Sequence, residues 1–307
     1  MKQDYDIIGD IHGHADALEA LLVKLGYQLI EGIYQHAHNK TIFLGDFIDR
    51  GPQQRQVINL VRPMIEKGHA LSVMGNHEFN AICYGTLGSD GQPLRKHTEK
   101  NIQQHQEFLT AYPNDDDRNN IIDWFKTLPI YLEIDGIRVI HASWNEHELE
   151  VIASLLDDKQ CLLDEAYVQC SKKGNDEFEA IEILLKGPEA DLPEGVRFKD
   201  KDGHPRHNAR VQWWKDKNSD KKDRLNLGSD IINEHKIEQT VIDDSHHYHE
   251  EHPPLFVGHY WLDDETPTPL SDNSACLDFS IAKNGKLVAY RWLGEKTLKE
   301  SNFVWCE

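Results

Sequence analysis

The residues in this chain that could do chemistry follow short apolar runs. Tyr5-Asp6-Ile7-Ile8 leads into Gly9-Asp10-Ile11-His12-Gly13. Thr41-Ile42-Phe43-Leu44 leads into Gly45-Asp46-Phe47-Ile48-Asp49-Arg50-Gly51-Pro52, and Ala70-Leu71-Ser72-Val73-Met74 into Gly75-Asn76-His77-Glu78. Glycine lets a strand turn sharply, and the polar residues beyond it emerge where open α/β sheets bind ligands. Two later runs end in the same manner, with His141 after Ile137 to Ile140 and Gly258-His259 after Leu255-Phe256-Val257. Asp10, His12, Asp46, Asn76, His141 and His259 are hard or borderline oxygen and nitrogen donors suited to divalent cations. Two cations about 3.5–4 Å apart need a shared ligand, and a carboxylate can bridge with its two oxygens. Asp46, on the middle of the three N-terminal strands, is the natural bridge. Asp10 and His12 then complete one cation, and Asn76, His141 and His259 the other. Only Asp10 and Asp46 are anionic, so two dications leave the site positive enough to attract a phosphate dianion. A bridging water, deprotonated near neutral pH, could attack phosphorus in line. Singly, each residue has an ordinary explanation: a Gly-Asp is usually a turn, and with 18 His in the chain a lone histidine is usually a core or edge residue. The joint pattern of five polar rims after five short strands carries the assignment.

Positioning these groups requires strands and crossovers. Ala17, Leu18, Ala20, Leu21, Leu22 and Leu25 recur at helical spacing, with Gly26 as a stop signal. Pro52 suits the first turn of the next helix, whose buried face is Val57, Ile58, Val61 and Ile65. The pattern is β-α-β-α-β, and right-handed crossovers make the strands parallel. A further helix is expected from Phe79 to Tyr84. Residues 85–98 read as a polar, Gly-rich loop near the site. Helices are expected near Glu99 to Ala111 and Asn120 to Leu128, then a hairpin turning at Asp135-Gly136. Residues 146–240 are less regular, with helical patterns near Glu146 to Leu156 and Glu177 to Lys186. A last hairpin is expected, with arms Ala275 to Ala282 and Lys286 to Trp292 and a turn at Asn284-Gly285. No repeat, low-complexity tract or linker divides the chain, so residues 1–307 read as one domain with an insertion at about 146–240.

Composition narrows the partners. Of 307 residues, 39% are hydrophobic, enough for a sizeable core, and the formal charge is -20. That surplus opposes general binding to nucleic acid or anionic membranes, so an anionic substrate needs a local positive site. The 5 cysteines form no CxxC pair and read as free thiols of a reducing compartment. Neither a signal peptide nor a bilayer-spanning run is evident, and a cytoplasmic location is the expectation.

The segments GDIHG at 9–13, GDFIDRGP at 45–52 and GNHE at 75–78 resemble the phosphoprotein phosphatase family of dinuclear metallophosphoesterases, the calcineurin-like fold, whose members include bacterial serine/threonine phosphatases and symmetrical diadenosine tetraphosphatases. His141 and Gly258-His259 match the family's later histidines. The closing hairpin is similar too, and the resemblance is thin between 145 and 250. It implies an α/β/β/α sandwich, two facing mixed sheets with helices outside. It also implies roles that the chemistry supports. His77 would protonate the leaving oxygen, and Asp49 would pair with it and keep it charged. Arg50 would offer its planar fork to phosphate oxygens. Arg210 is the candidate for a second phosphate arginine, with Arg95 as the runner-up. The chain departs from the family at His141-Ala142-Ser143 and at Tyr260-Trp261, both beside the expected site.

The expected activity is hydrolysis of a phosphomonoester in a phosphoprotein. The alternative is a symmetrical dinucleoside polyphosphate hydrolase, and a reading from another class is a non-catalytic metal-binding regulatory module. Two divalent ions are implied: Mn first, with Fe, Zn, Ni or Co tolerated by such ligands. Other features have plainer readings. The histidine-rich segment 243–252 reads as a solvated loop rather than a metal site. Trp213-Trp214 and Tyr260-Trp261 read as core packing rather than nucleobase stacking. Arg95-Lys96-His97 is either a phosphate site or a loop tip.

Overall fold

The computed structural model describes residues 3–200 and 203–306. The first strand, β1 (Asp4–Ile8), alternates Tyr5 and Ile7 on one face with Asp6 and Ile8 on the other. It pairs in parallel with β2 (Asn39–Phe43), which pairs in parallel with β3 (Ala70–Ser72). The crossovers are α1 (Ala15–Leu25) and α2 (Gln54–Glu66). Gly26 ends α1 in the left-handed conformation, φ 93°, where its N–H caps the last carbonyls. Pro52 lies outside α2, contrary to expectation. Gly51 N–H donates to the His12 carbonyl and Gln53 N–H to the Gly13 carbonyl, so these residues are tied to the neighbouring loop before the helix can begin.

The sheet is completed on its other edge. Strand β9 (Lys286–Trp292) runs antiparallel to β1, with Asp6 opposite Arg291, and the Arg291 guanidinium holds both oxygens of the buried Asp6 carboxylate. Strands β8 (Asp278–Phe279) and β10 (Phe303–Cys306) both pair with β9. A second, mixed sheet has the order β7-β6-β5-β4: β4 (Tyr131–Ile134), β5 (Ile137–Ile140), β6 (Leu255–Val257) and β7 (Ser274–Cys276). The β4–β5 turn has Asp135 at φ 50° and Gly136 at φ 87°, the hairpin geometry that the dipeptide favours.

The two sheets face each other across an apolar core. Tyr5, Ile7, Ile42, Leu44, Val73, Val288, Tyr290 and Trp292 meet Ile137, Val139, Phe256 and Ala275. The alternate residues, among them Ile8, Phe43, Ile140, Leu255, Val257 and Ala289, pack under helices. The result is the expected α/β/β/α sandwich. None of the helices among the described residues is long and apolar enough to cross a membrane.

Several local expectations are corrected. The arm expected from Ala275 to Ala282 splits between the sheets: β7 pairs with β6, whereas β8 pairs with β9. The Asp278 carboxylate causes the bend, accepting the N–H groups of Trp261 and Ser280. A short helical turn, Ile281–Lys283, replaces the tight hairpin. The helix expected from Glu99 to Ala111 breaks at His105 into α4 (Glu99–Gln104) and α5 (Gln106–Ala111). It follows α3 (Asn76–Gly85), which starts earlier than expected. The next helix, α6 (Asp115–Phe125), also begins early because the Asn114 side chain caps it. Between 146 and 240, α7 (Glu146–Ile152), α8 (Ala166–Cys170) and α9 (Asp176–Lys186) precede two three-stranded sheets that surround a small core of Val196, Phe198, Ala209, Val211, Leu225 and Ile237. Their strands are 2–4 residues long, too short to show an alternating pattern.

Phe256 is fully buried between the sheets. Phe256→Ala should cost about 3–5 kcal/mol in urea-induced unfolding. A loss below about 1 kcal/mol would mean that the interface is not the packed core described.

Candidate active site

The polar residues predicted at the strand ends converge. The Asp46 carboxylate lies at the centre, 2% exposed. Its Oδ2 is 3.4 Å from His141 Nε2, 3.6 Å from His12 Nε2 and 3.9 Å from His77 Nε2. Its Oδ1 accepts the backbone N–H of His77 at 2.9 Å. The Asn76 side-chain oxygen is 3.1 Å from His141 Nε2 and 2.7 Å from His259 Nδ1. Asp10 accepts the backbone N–H of His259 at 3.1 Å. All six predicted ligand residues therefore lie in one buried cluster.

Backbone geometry explains why these loops are glycine-rich. A Cβ on Gly75 would fall 2.3 Å from Asp46 Oδ1, and one on Gly258 would fall 2.0 Å from Asp10 Oδ1. Any side chain at either position would displace a carboxylate. The site residues are themselves contorted: His12, Asp46, Asp49, Arg50, His259 and Trp261 all have positive φ. Such conformations persist only where surrounding contacts enforce them, and they concentrate at functional sites.

At Asp46 the enforcement comes from Glu78, which the sequence pattern did not single out. Its fully buried carboxylate accepts the N–H groups of Asp46 and Phe47 at 2.8 Å and of Gly75 at 3.1 Å. It thus ties the β2 loop to the start of α3. Glu three residues after the helix-capping Gly75 is half of a capping box, the one sequence signal that could have exposed it. Burial, with Asp46 nearby, raises its carboxyl to about 7. His105 and Asp278 were also missed. His105 Nδ1 contacts Asp49, and Asp278 lies close enough to Asp10 to affect its ionisation.

The electrostatics suit a cation. Burial raises the Asp10 carboxyl well above the usual range, and the Asp278 and Asp46 charges add to that. Burial also acts against the Asp46 charge, but His141, His77 and His12 outweigh it and hold the carboxyl well below normal. Burial lowers His12 to about 3, against the pull of Asp46. Burial, the Arg210 charge and His141 lower His259. His141 stands apart: despite its burial, Asp46 and Asp10 raise it to about 10. The buried Asp10 Oδ1, His12 Nε2 and His259 Nε2 have no hydrogen-bond partner among the described residues. Buried polar atoms without partners are costly, and neutral imidazole nitrogens with carboxylate oxygens are ordinary donors for a divalent ion. His12 and His141 direct Nδ1 to the carbonyls of Ile48 and Leu44, which aims Nε2 inward as a ligand requires. Two sets bring ligand atoms within 4.8 Å of one another: His12 with Asp46 and His77, and Asp46 with His141 and His259. The residues present therefore fit a metal group.

The remaining predicted residues lie around this cluster. His77 Nδ1 is 2.6 Å from Asp49 Oδ2. Burial works against the charged ring, but Asp46 and Asp49 raise His77 above its ordinary value. Burial would raise Asp49, yet His105 and His77 hold it at about 2. Arg50 stacks on Trp261, with its guanidinium carbon 4.3 Å from the ring centre. Arg210, on the strand Asn208–Val211, is near enough to influence His259 and makes no ion pair among the described residues. Arg95 instead donates to the side-chain oxygens of Asn101 and Gln104. Trp213, Trp214 and Tyr260 are buried core residues, and Tyr260 joins the Trp213 N–H to the Ala142 carbonyl. In the histidine-rich segment, His246 meets Asn145 and His247 meets the Trp213 carbonyl, and no metal-like group forms there among the described residues. A cavity of about 800 Å³ is lined by Leu262, Phe279 and Lys283 among others, and by none of the predicted site residues.

The profile of calcineurin-like phosphoesterases matches residues 5–266, a span that includes the six predicted ligands with Asp49, Arg50, His77 and Arg210, while Asp278 lies beyond it. The chain belongs to the calcineurin-like phosphoesterase family. That family comprises phosphoesterases that use divalent metals. It is 37% identical over 145 residues to the asymmetrical bis(5'-nucleosyl)-tetraphosphatase PrpE of Oceanobacillus iheyensis, covering 46% of this chain and 57% of that one. It is 46% identical over 74 residues to the PrpE of Bacillus subtilis, covering 24% and 30%. The chain thus spans between about a third and little more than half the length of these curated relatives. Among solved structures, a protein serine/threonine phosphatase from Saccharomyces cerevisiae aligns with 99% of this chain and 79% of its own at 14% identity, TM-score 0.53. A cold-active protein tyrosine phosphatase aligns over 98% and 80% at 16% identity, TM-score 0.51. These two share the fold.

Glu78→Ala would leave three buried backbone donors without an acceptor. At about 1–3 kcal/mol for each unsatisfied group, the variant should lose at least 3 kcal/mol of stability in urea unfolding of the metal-free protein. A change under about 1 kcal/mol would show that Glu78 does not brace the two loops.

Proposed function

We propose that this phosphoesterase works with two divalent cations, manganese foremost, and hydrolyses phosphomonoesters in the manner of a protein phosphatase. Asp46 would be shared by both cations, with Asp10 and His12 on one side and Asn76, His141 and His259 on the other. The observation that carries this reading is the set of unpartnered buried donors, Asp10 Oδ1, His12 Nε2 and His259 Nε2, around a single buried carboxylate. When bound, the cations would supply a water of lowered pKa and offset charge on the phosphoryl group.

The chain's own residues would do the rest. Arg50 at the rim and Arg210 beside His259 would hold phosphoryl oxygens, and guanidinium forks suit them. Stacking on Trp261 limits the freedom of Arg50 before substrate arrives. His77 would give its Nε2 proton to the departing oxygen. Asp49 takes the Nδ1 hydrogen bond, so Nε2 is the nitrogen left to face the Asp46 side. The unbridged cysteines fit work in the reducing cytoplasm.

A second reading, hydrolysis of a dinucleoside polyphosphate, is favoured by the name that the PrpE relatives carry. That name specifies asymmetrical cleavage, not the symmetrical kind expected from the family resemblance. Either substrate would present a phosphoryl group to the same residues.

The test is a turnover panel after chelation and manganese loading, with an aryl phosphomonoester, an aryl diester, phosphopeptides and diadenosine tetraphosphate. Monoester and phosphopeptide turnover well above diester turnover is expected; activity confined to the tetraphosphate would favour the second reading. His77→Asn should lose about 10²–10⁴ in turnover, the usual scale of general acid catalysis, while metal content stays near normal. Asp46→Asn should lose metal itself, measured by mass spectrometry. Full metal occupancy in Asp46→Asn would remove the shared-ligand assignment.

A further inference from the structure

We infer that His105 is a positioning residue for this reaction: it fixes the plane of the Asp49 carboxylate and, through it, the direction in which His77 offers its proton. The inference rests on the acid role proposed for His77. The Asp49 carboxylate is 2% exposed and sits on a loop residue at φ 68°. Its backbone N–H is held by Gln54 Oε1 at 2.8 Å, but that contact leaves the side chain unconstrained. Rotation of a carboxylate about its last bond is soft, with broad minima. His77 alone meets one oxygen, Oδ2. His105 Nδ1 hydrogen-bonds Oδ2 at 3.0 Å, the oxygen His77 also meets, and approaches Oδ1 to 2.8 Å, so a second contact from a different direction limits rotation of the carboxylate plane. Since a carboxylate only accepts, the imidazole nitrogen facing it carries the proton.

The fold is arranged to aim this ring. His105 is the single residue at which α4 stops and α5 starts, and that break turns its side chain toward Asp49. The ring is 5% exposed and clamped between Phe108, with centroids 4.9 Å apart, and Tyr84, 5.4 Å away. Tyr84 is in turn stacked on His97 at 3.7 Å. An uninterrupted helix would satisfy the backbone more simply. The plainer reading is that His105 merely anchors these helices to the Asp49 loop, and the two readings differ in their kinetics.

The experiment uses the full-length, manganese-loaded enzyme with phenyl phosphate, a poor leaving group, and 2,4-dinitrophenyl phosphate, a good one that needs little protonation. His105→Phe keeps the aromatic packing and removes the donor. It should lower kcat on phenyl phosphate about tenfold, a part of the ~10²–10⁴ that general acid catalysis supplies, and change the dinitrophenyl ester by less than about twofold. His105→Asn, whose amide can donate from nearly the same place, should restore most of the loss. Adding His105→Phe to His77→Asn should cost nothing further, because the two residues act in one chain of contacts. Should His105→Phe fail to fold, His105→Leu replaces it as the donor-free variant. Equal losses on the two esters, or additive losses in the double variant, would overturn the inference and leave His105 an anchor. If His77→Asn itself loses equally on both esters, the acid role falls and the inference with it. Leaving-group dependence in His77→Asn alone would overturn only the inference.

Discussion

The structure depends on keeping one carboxylate, that of Asp46, ionised and held by contacts on both oxygens inside protein. Burial alone would neutralise it. Three imidazoles around Oδ2 and the His77 N–H on Oδ1 prevent that. The constraint propagates outward. Gly75 must lack a side chain because Asp46 occupies the space, and Glu78 must reach back across the turn because the strained loop has backbone donors that need an acceptor. Parallel strands β1, β2 and β3 are the platform, since they deliver the three motif loops to one rim in register.

Around this centre, charge is partitioned in a way that fits the proposed chemistry. Asp10, Asp46 and Asp278 form a buried acidic group whose members disfavour each other's ionisation. A divalent ion would relieve that repulsion. The cationic groups sit at the margins: Arg50 on Trp261, Arg210 beside His259, and His77 on Asp49. The second sheet contributes His141 and His259 from the ends of β5 and β6. The bend at Leu277 carries the chain from that sheet back to the first, next to Gly9, where a Cβ would fall 2.0 Å from the Leu277 carbonyl oxygen. The two sheets are thus joined at the point where their ligands meet.

Much of this could be read in the sequence because the demands are local. Asp10, Asp46 and Asn76 each follow a glycine that the backbone requires, and an apolar run precedes each motif. His141 and His259 were legible only jointly, since each alone is one of many histidines. What escaped was set by contacts distant along the chain. His105 looked like any polar residue in a helical pattern, and only its approach to Asp49, far back in the chain, distinguishes it. Asp278 looked like the middle of one strand, whereas the chain breaks at Leu277 and the Asp278 carboxylate, just beyond, accepts the distant Trp261 N–H. The strands between 189 and 232 are too short for periodicity to register, and their small core forms only when segments distant in the chain are brought together.

The central claim is most directly tested by anomalous X-ray diffraction from crystals soaked in manganese, with data collected at the manganese edge. The account predicts two peaks about 3.5–4 Å apart, both within bonding reach of the Asp46 carboxylate, one beside Asp10 and His12 and the other beside Asn76, His141 and His259. Peaks elsewhere, such as among His246, His247 and His249, with none at Asp46, would contradict it.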